Sequence, residues 1–139
     1  MPKVDFYVLS EKHTVDVFIC QLTQKIWQQG HDIYIHTHHQ EHASQLDTRL
    51  WTFSDISFVP HQLWAGSQVV EAPVCIGWQP SYSGDQTVLM NLNRSVPEFS
   101  NDFARIVEIV SLDQASKQTG RAHFRQYRDM GYELESHNL

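Results

Sequence analysis

The side chains best equipped for chemistry lie between Lys117 and Arg128, in the stretch KQTGRAHFRQYR. It holds four of the ten Lys and Arg residues and no acid, so the rest of the chain carries six basic against sixteen acidic side chains. On an α-helix turning about 100° per residue, Lys117, Arg121, Phe124, Arg125 and Arg128 return to one face. Leu112, Ala115, Thr119, Ala122 and Met130 fall opposite and are expected to pack against the body. Like charges one turn apart repel by about a few tenths of a kcal/mol, so a one-sign strip suits a site that an anion visits. Guanidinium forks match carboxylates, and an aromatic neighbour gives the apolar part of a ligand a place to lie. An acidic peptide or its terminal carboxylate fits this mix, and so does a phosphate backbone. The plainer alternative is the solvated face of a terminal helix.

Other candidates carry less. His36, His38, His39 and His42 crowd seven residues, and His38 with His42 would share a helical face as metal ligands do. No HExxH or CxxC accompanies them, so they are read as a polar strand end, with no metal expected. Cys20 and Cys75 sit in apolar surroundings at no metal or redox spacing and are expected to be buried free thiols. There is no GxSxG elbow, no catalytic residue is nominated, and no cofactor is expected. SFVPHQLW, Ser57 to Trp64, places Phe58, Val59, Leu63 and Trp64 in an irregular region. These residues either plug the core or offer aromatic anchors to a partner.

The elements that must position these groups follow from periodicity. VDFYVL at Val4 to Leu9 and DIYIHT at Asp32 to Thr37 read as buried strands. Between them, Val15, Phe18, Ile19, Leu22, Ile26 and Trp27 form a helical stripe that stops at Gly30. A second helix is expected over His39 to Trp51, with Ala43, Leu46, Leu50 and Trp51 inward. Thr52 to Pro73 has no sustained period and reads as an excursion. PVCIGW (Pro73 to Trp78), QTVLMNL (Gln86 to Leu92) and ARIVEIV (Ala104 to Val110) read as further strands, with a short helix near Pro97 to Asp102 before the basic helix. The β-α-β-α opening predicts an α/β fold, a three-layer α/β/α single domain over residues 1–139 with a mostly parallel sheet. Ser10 to His13 has no glycine and neither GxxxxGK[ST] nor GxGxxG occurs, so the layout is nucleotide-binding-like without a phosphate loop.

Composition bounds the rest. At 139 residues, 41% hydrophobic and 12% aromatic, the chain can bury an ordinary core. A net charge of −6 disfavours a surface that grips nucleic acid all over. No run of 18 apolar residues and no signal peptide occurs, so no membrane contact and a cytoplasmic location are expected.

The order of motifs resembles a known family. FYVL, a helix ending in IWQQG, DTRLW at Asp47 to Trp51, SFVPH at Ser57 to His61, APVCIGW at Ala72 to Trp78, VLMNL and SKQTGRAHFRQYRDMGY together resemble the chi subunit of bacterial DNA polymerase III holoenzyme, over about Phe6 to Tyr132. The resemblance implies a clamp-loader accessory subunit of a DNA-directed DNA polymerase complex, with no catalytic activity of its own. It implies two partners, the psi subunit and the acidic C-terminal tail of single-stranded DNA-binding protein, with nucleic acid engaged mainly indirectly. Carried onto matching positions, the tail pocket is Val110, Lys117, Arg121, Phe124 and Arg125, and the psi surface includes Phe58. This chain has Phe124 where the family can carry tyrosine, and Arg125 where it can carry lysine. A direct nucleic-acid binder using the same helix is the alternative function.

Overall fold

The computed structural model describes residues 2–54, 58–66 and 70–139. Ser57 of the SFVPH motif lies outside them. The order along the chain is β1 (Lys3–Val8), α1 (Val15–Gln28), β2 (Ile33–His36), α2 (Gln40–Thr52), β3 (His61–Trp64), β4 (Val74–Gly77), β5 (Val88–Asn91), a 3-10 turn (Glu98–Asp102), β6 (Arg105–Val110), α3 (Gln114–Asp129) and β7 (Glu133–Asn138). The seven strands form one sheet in the order β3-β4-β2-β5-β6-β1-β7, and each pairing is parallel. This is the α/β class expected from the sequence.

Helices cover both faces because the central strands are apolar on both sides. Ile33 and Ile35 of β2 join Ile76, Met90 and Val107 under α1 and α2, where Ile19, Leu22, Ile26, Leu46 and Leu50 are buried. Tyr34, pointing the other way, enters a mostly aromatic core with Phe6, Tyr82, Phe99, Phe103 and Tyr127, and its ring stacks on Tyr82 at 3.8 Å. Gly30 ends α1 with φ of 90°, a conformation that glycine adopts without steric cost. Cys20 and Cys75 are buried free thiols, and burial pushes each up to about 11.

Four expectations are corrected. Trp51 does not face inward: it is 58% exposed, one residue past the buried Leu50 at the margin of the α2 stripe. The excursion contains β3, which closes one edge of the sheet, and β7 closes the other although ELESHN has no apolar alternation. Edge strands need only one pairing partner and can stay polar. The packing side of α3 is Gly120, His123 and Tyr127, whereas Leu112, Ala115, Ala122 and Met130 are exposed. Two polar, hydrogen-bonded side chains are buried there in place of the apolar stripe that periodicity would choose. His38 precedes α2 and does not share its face with His42. No helix among the described residues is long and apolar enough to cross a membrane.

Candidate functional site

Helix α3 starts at Asp113, whose carboxylate accepts the Ser116 N–H at 2.7 Å. It then lies across β6 and β1 so closely that a Cβ on Gly120 would meet Val110 Cγ2 at 2.8 Å. Glycine inside a helix costs about 0.5–1 kcal/mol relative to alanine, and here the close approach to β6 is its reason. That approach leaves a groove of about 610 Å³, lined by Phe6, Val8, Val110, Lys117, Gly120, Arg121, Phe124, Arg125 and Ser136, within the size range of ligand clefts. Its apolar floor comes from β1 and β6, and its cationic wall from α3. Phe124 is half-buried against Phe6, with ring centroids 5.4 Å apart.

The electrostatics of the groove follow from what is missing around it. Lys117, Arg121 and Arg125 make no ion pair among the described residues, in a chain whose net charge is −6. Arg128 differs: it lies 3.8 Å from Asp129 and does not line the groove. The five positions anticipated for a tail pocket, Val110, Lys117, Arg121, Phe124 and Arg125, thus lie together. Phe6, Val8, Gly120 and Ser136 were missed. The first two share the α3 side of β1, as period-two alternation from a recognised strand would have indicated; Ser136 lies on the polar strand that carries no signal.

A second surface lies near the opposite edge. Phe58, 51% exposed, packs on Trp51 at 4.9 Å, and both rings touch His61. His61 is held from beneath: its Nδ1 donates to the Val59 carbonyl at 2.7 Å and its Nε2 faces Asp47 at 3.1 Å. Of the four apolar residues in this region, Val59 and Trp64 are buried, Leu63 is half-buried and Phe58 projects. The strands β3 and β1 are five spacings of about 4.8 Å apart, roughly 24 Å, so this patch and the groove are well separated.

Other chemistry-bearing clusters are internally satisfied. Burial pushes His36 down to about 4, and its ring nitrogens meet the Tyr34 hydroxyl and the Asn93 amide. His38 bonds Asn93, and His39 caps α2 by accepting the His42 N–H. Asp5, Glu135 and His137 bring three possible ligand atoms within 4.8 Å of one another. Both acids already face cations, however: Lys3 lies 2.9 Å from Glu135 and Arg105 2.9 Å from Asp5. With its charge neutralised in this way, the cluster works as an ion-pair network tying β7 to β1. The crevice between the starts of α1 and α3, where doubly wound folds place ligands, is lined by charged residues of both signs, among them Asp16 and Arg94.

Comparison with known proteins decides the family. The family model described as "DNA polymerase III chi subunit, HolC" matches residues 1–135. The chain belongs to this family. It is 36% identical over 141 residues to DNA polymerase III subunit chi of Pseudomonas aeruginosa, covering 100% of this chain and 98% of the relative. It is 31% identical to the chi subunit of Haemophilus influenzae, over 96% of this chain and 95% of that one, and 30% identical to that of Escherichia coli K12, over 98% and 97%. The resemblance drawn from the motifs and the family match agree.

Proposed function

We propose that this chain is an accessory subunit of DNA polymerase III that holds two protein partners at once during DNA replication. Family membership supports the general role. In the finer reading, the groove under α3 takes the acidic C-terminal tail of single-stranded DNA-binding protein, and the Trp51–Phe58 patch meets the psi subunit of the clamp loader. The observation that carries the tail reading is the pairing of an apolar floor with three cations that make no ion pair among the described residues. A peptide ending in a large apolar residue would bury that side chain against Phe6, Val8, Val110 and Phe124 while its carboxylates meet Lys117, Arg121 and Arg125. The chain acts by binding, without catalysis, and works in the cytoplasm.

The deciding experiment is a paired titration at fixed salt of one acidic, apolar-ended peptide with a free or an amidated C-terminus, beside bare single-stranded DNA. Amidation removes a charge and turns an acceptor into a donor facing cations, so binding is expected to weaken by about 1–3 kcal/mol. A helix that tracks phosphates has no reason to make this distinction. Equal affinity for the two peptides, with tight DNA binding, would favour the nucleic-acid alternative.

Phe58→Ala and Trp51→Ala are each expected to weaken psi association by about 2 kcal/mol, the scale of an aromatic interface anchor. Both side chains are more than half exposed, so folding should change little. Co-purification with psi and peptide titration on the same variants check this: peptide binding should be retained, and loss of both activities would show that the two surfaces are not separable.

A further inference from the structure

Under the groove lies a charged network that the docking surface itself does not touch. Glu108 of β6 is 4% exposed and His123 of α3 is 3% exposed. Three donors converge on the carboxylate: His123 Nδ1 at 3.0 Å, the Asn91 amide of β5 at 2.8 Å and the Tyr127 hydroxyl at 2.7 Å. His123 Nε2 donates to the Arg94 carbonyl at 2.9 Å. With one nitrogen on a carboxylate and the other on a carbonyl, both of which accept, this geometry favours the doubly protonated imidazolium, as does the raised pKa of the ring.

A buried ion pair of this kind is costly to assemble and adds little net stability, so a directional role accounts for it better than a stabilising one. Apolar packing resists separation of a helix from a sheet but only weakly resists rolling about the helix axis, because burial is non-directional. Gly120, His123 and Tyr127 form the side of α3 that meets the sheet, and Phe124 is the immediate neighbour of His123. With side chains reaching about 5–6 Å from the axis, a roll of about 20° displaces a groove residue by about 2 Å. We propose that Glu108 is a positioning residue for the groove, which through His123 and Tyr127 sets the roll of α3 and thereby the places of Arg121, Phe124 and Arg125 over the floor. This rests on the groove being a peptide site. Gly120, seated against Val110, is the fulcrum.

The network also makes positioning depend on pH. The groups that meet His123 are Glu108 from β6, the Arg94 carbonyl from the loop after β5 and Tyr127 on its own helix; Asn91 of β5 meets Glu108. Asp16 of α1, His42 of α2 and the Arg94 side chain line the crevice on the other side of Glu108. Burial works against the charged ring, but the Glu108 bond and charge and the Arg94 carbonyl outweigh it and raise its pKa. When the proton leaves, one of the two ring hydrogen bonds is lost.

The test is a fluorescence titration of the full chain with a labelled acidic peptide ending in a large apolar residue. Glu108→Gln keeps the shape and removes the charge. It is expected to bind the peptide about tenfold more weakly near pH 6.5 while melting cooperatively as a folded protein. Wild type should bind more weakly as pH rises from about 6.5 through the raised folded pKa of His123, and Glu108→Gln should show a flat profile, since without the carboxylate the network no longer holds a proton on the ring. If Glu108→Gln does not fold, Tyr127→Phe decides: it retains the ring and should bind about threefold more weakly. A folded variant with wild-type affinity and a wild-type pH profile would overturn the positioning role. Arg121→Ala, run in parallel, separates the two claims. If it loses binding while both network variants bind normally, the groove stands and the positioning role falls. If wild type binds no peptide, both fall.

Discussion

Glu108→Ala is expected to destabilise the folded chain by about 3–5 kcal/mol, the range for removing one partner of a buried ion pair. The carboxylate is the shared acceptor for an imidazolium, an amide and a phenol, and its loss leaves all three without it in a site closed to water. Against a total of about 5–15 kcal/mol for a typical domain, this should appear as a large drop in the urea midpoint.

The pH dependence should change sign as well. In wild type His123 has a raised folded pKa, so its contribution is complete below the unfolded value of about 6.5 and is lost as pH rises through the folded value. In Glu108→Ala the carboxylate no longer offsets burial, so the folded ring prefers to be neutral. The unfolded state then binds more protons, and the His123 contribution grows from acid toward neutral pH. Urea unfolding at several pH values between about 5 and 9 reads both effects. Unchanged stability, or parallel pH slopes, would refute the network as the clamp between α3 and the sheet.

Arg121→Glu is expected to weaken binding of the acidic peptide by about 3 kcal/mol or more, from loss of a charge-assisted hydrogen bond and from placing like charges together. Arg121→Ala, which removes only the attraction, should cost about 1–3 kcal/mol. Neither should lower stability appreciably, because Arg121 is exposed and makes no ion pair among the described residues. Relief of repulsion with Lys117 and Arg125, one turn away on either side, works in the same direction. Isothermal titration with peptide beside a thermal melt measures both properties. A reversed variant that still binds at wild-type strength would remove Arg121 from the site and leave the cationic wall as a solvated face.

Much of the framework was legible along the chain because it depends on local periodicity. Ile19, Leu22 and Ile26 recur at helical spacing, and the runs around Tyr34, Cys75 and Leu89 are apolar on both sides, as central parallel strands tend to be. The cationic strip was legible as well, since Lys117, Arg121, Phe124 and Arg125 depend only on helix geometry for their common face. What lay beneath the strip was not. Periodicity favours an apolar packing side, yet α3 packs with His123 and Tyr127, and only the arrival of Glu108 and Asn91 from two other strands allows those polar groups to be buried. The edge strands escaped for a related reason: HQLW and ELESHN become strands by pairing with β4 and β1, and one-sided pairing imposes little pattern on side chains. Trp51 shows the same division at a single residue. Its place one residue past Leu50 puts it at the margin of a helical stripe, and only the placement of the Phe58 ring beside it turns it into part of an exposed aromatic patch. Local periodicity along the chain specifies the α/β framework and the sign and spacing of the cations. The groove floor and the buried carboxylate beneath it arise only on folding, because contacts between distant segments are set by packing and hydrogen bonding across the sheet.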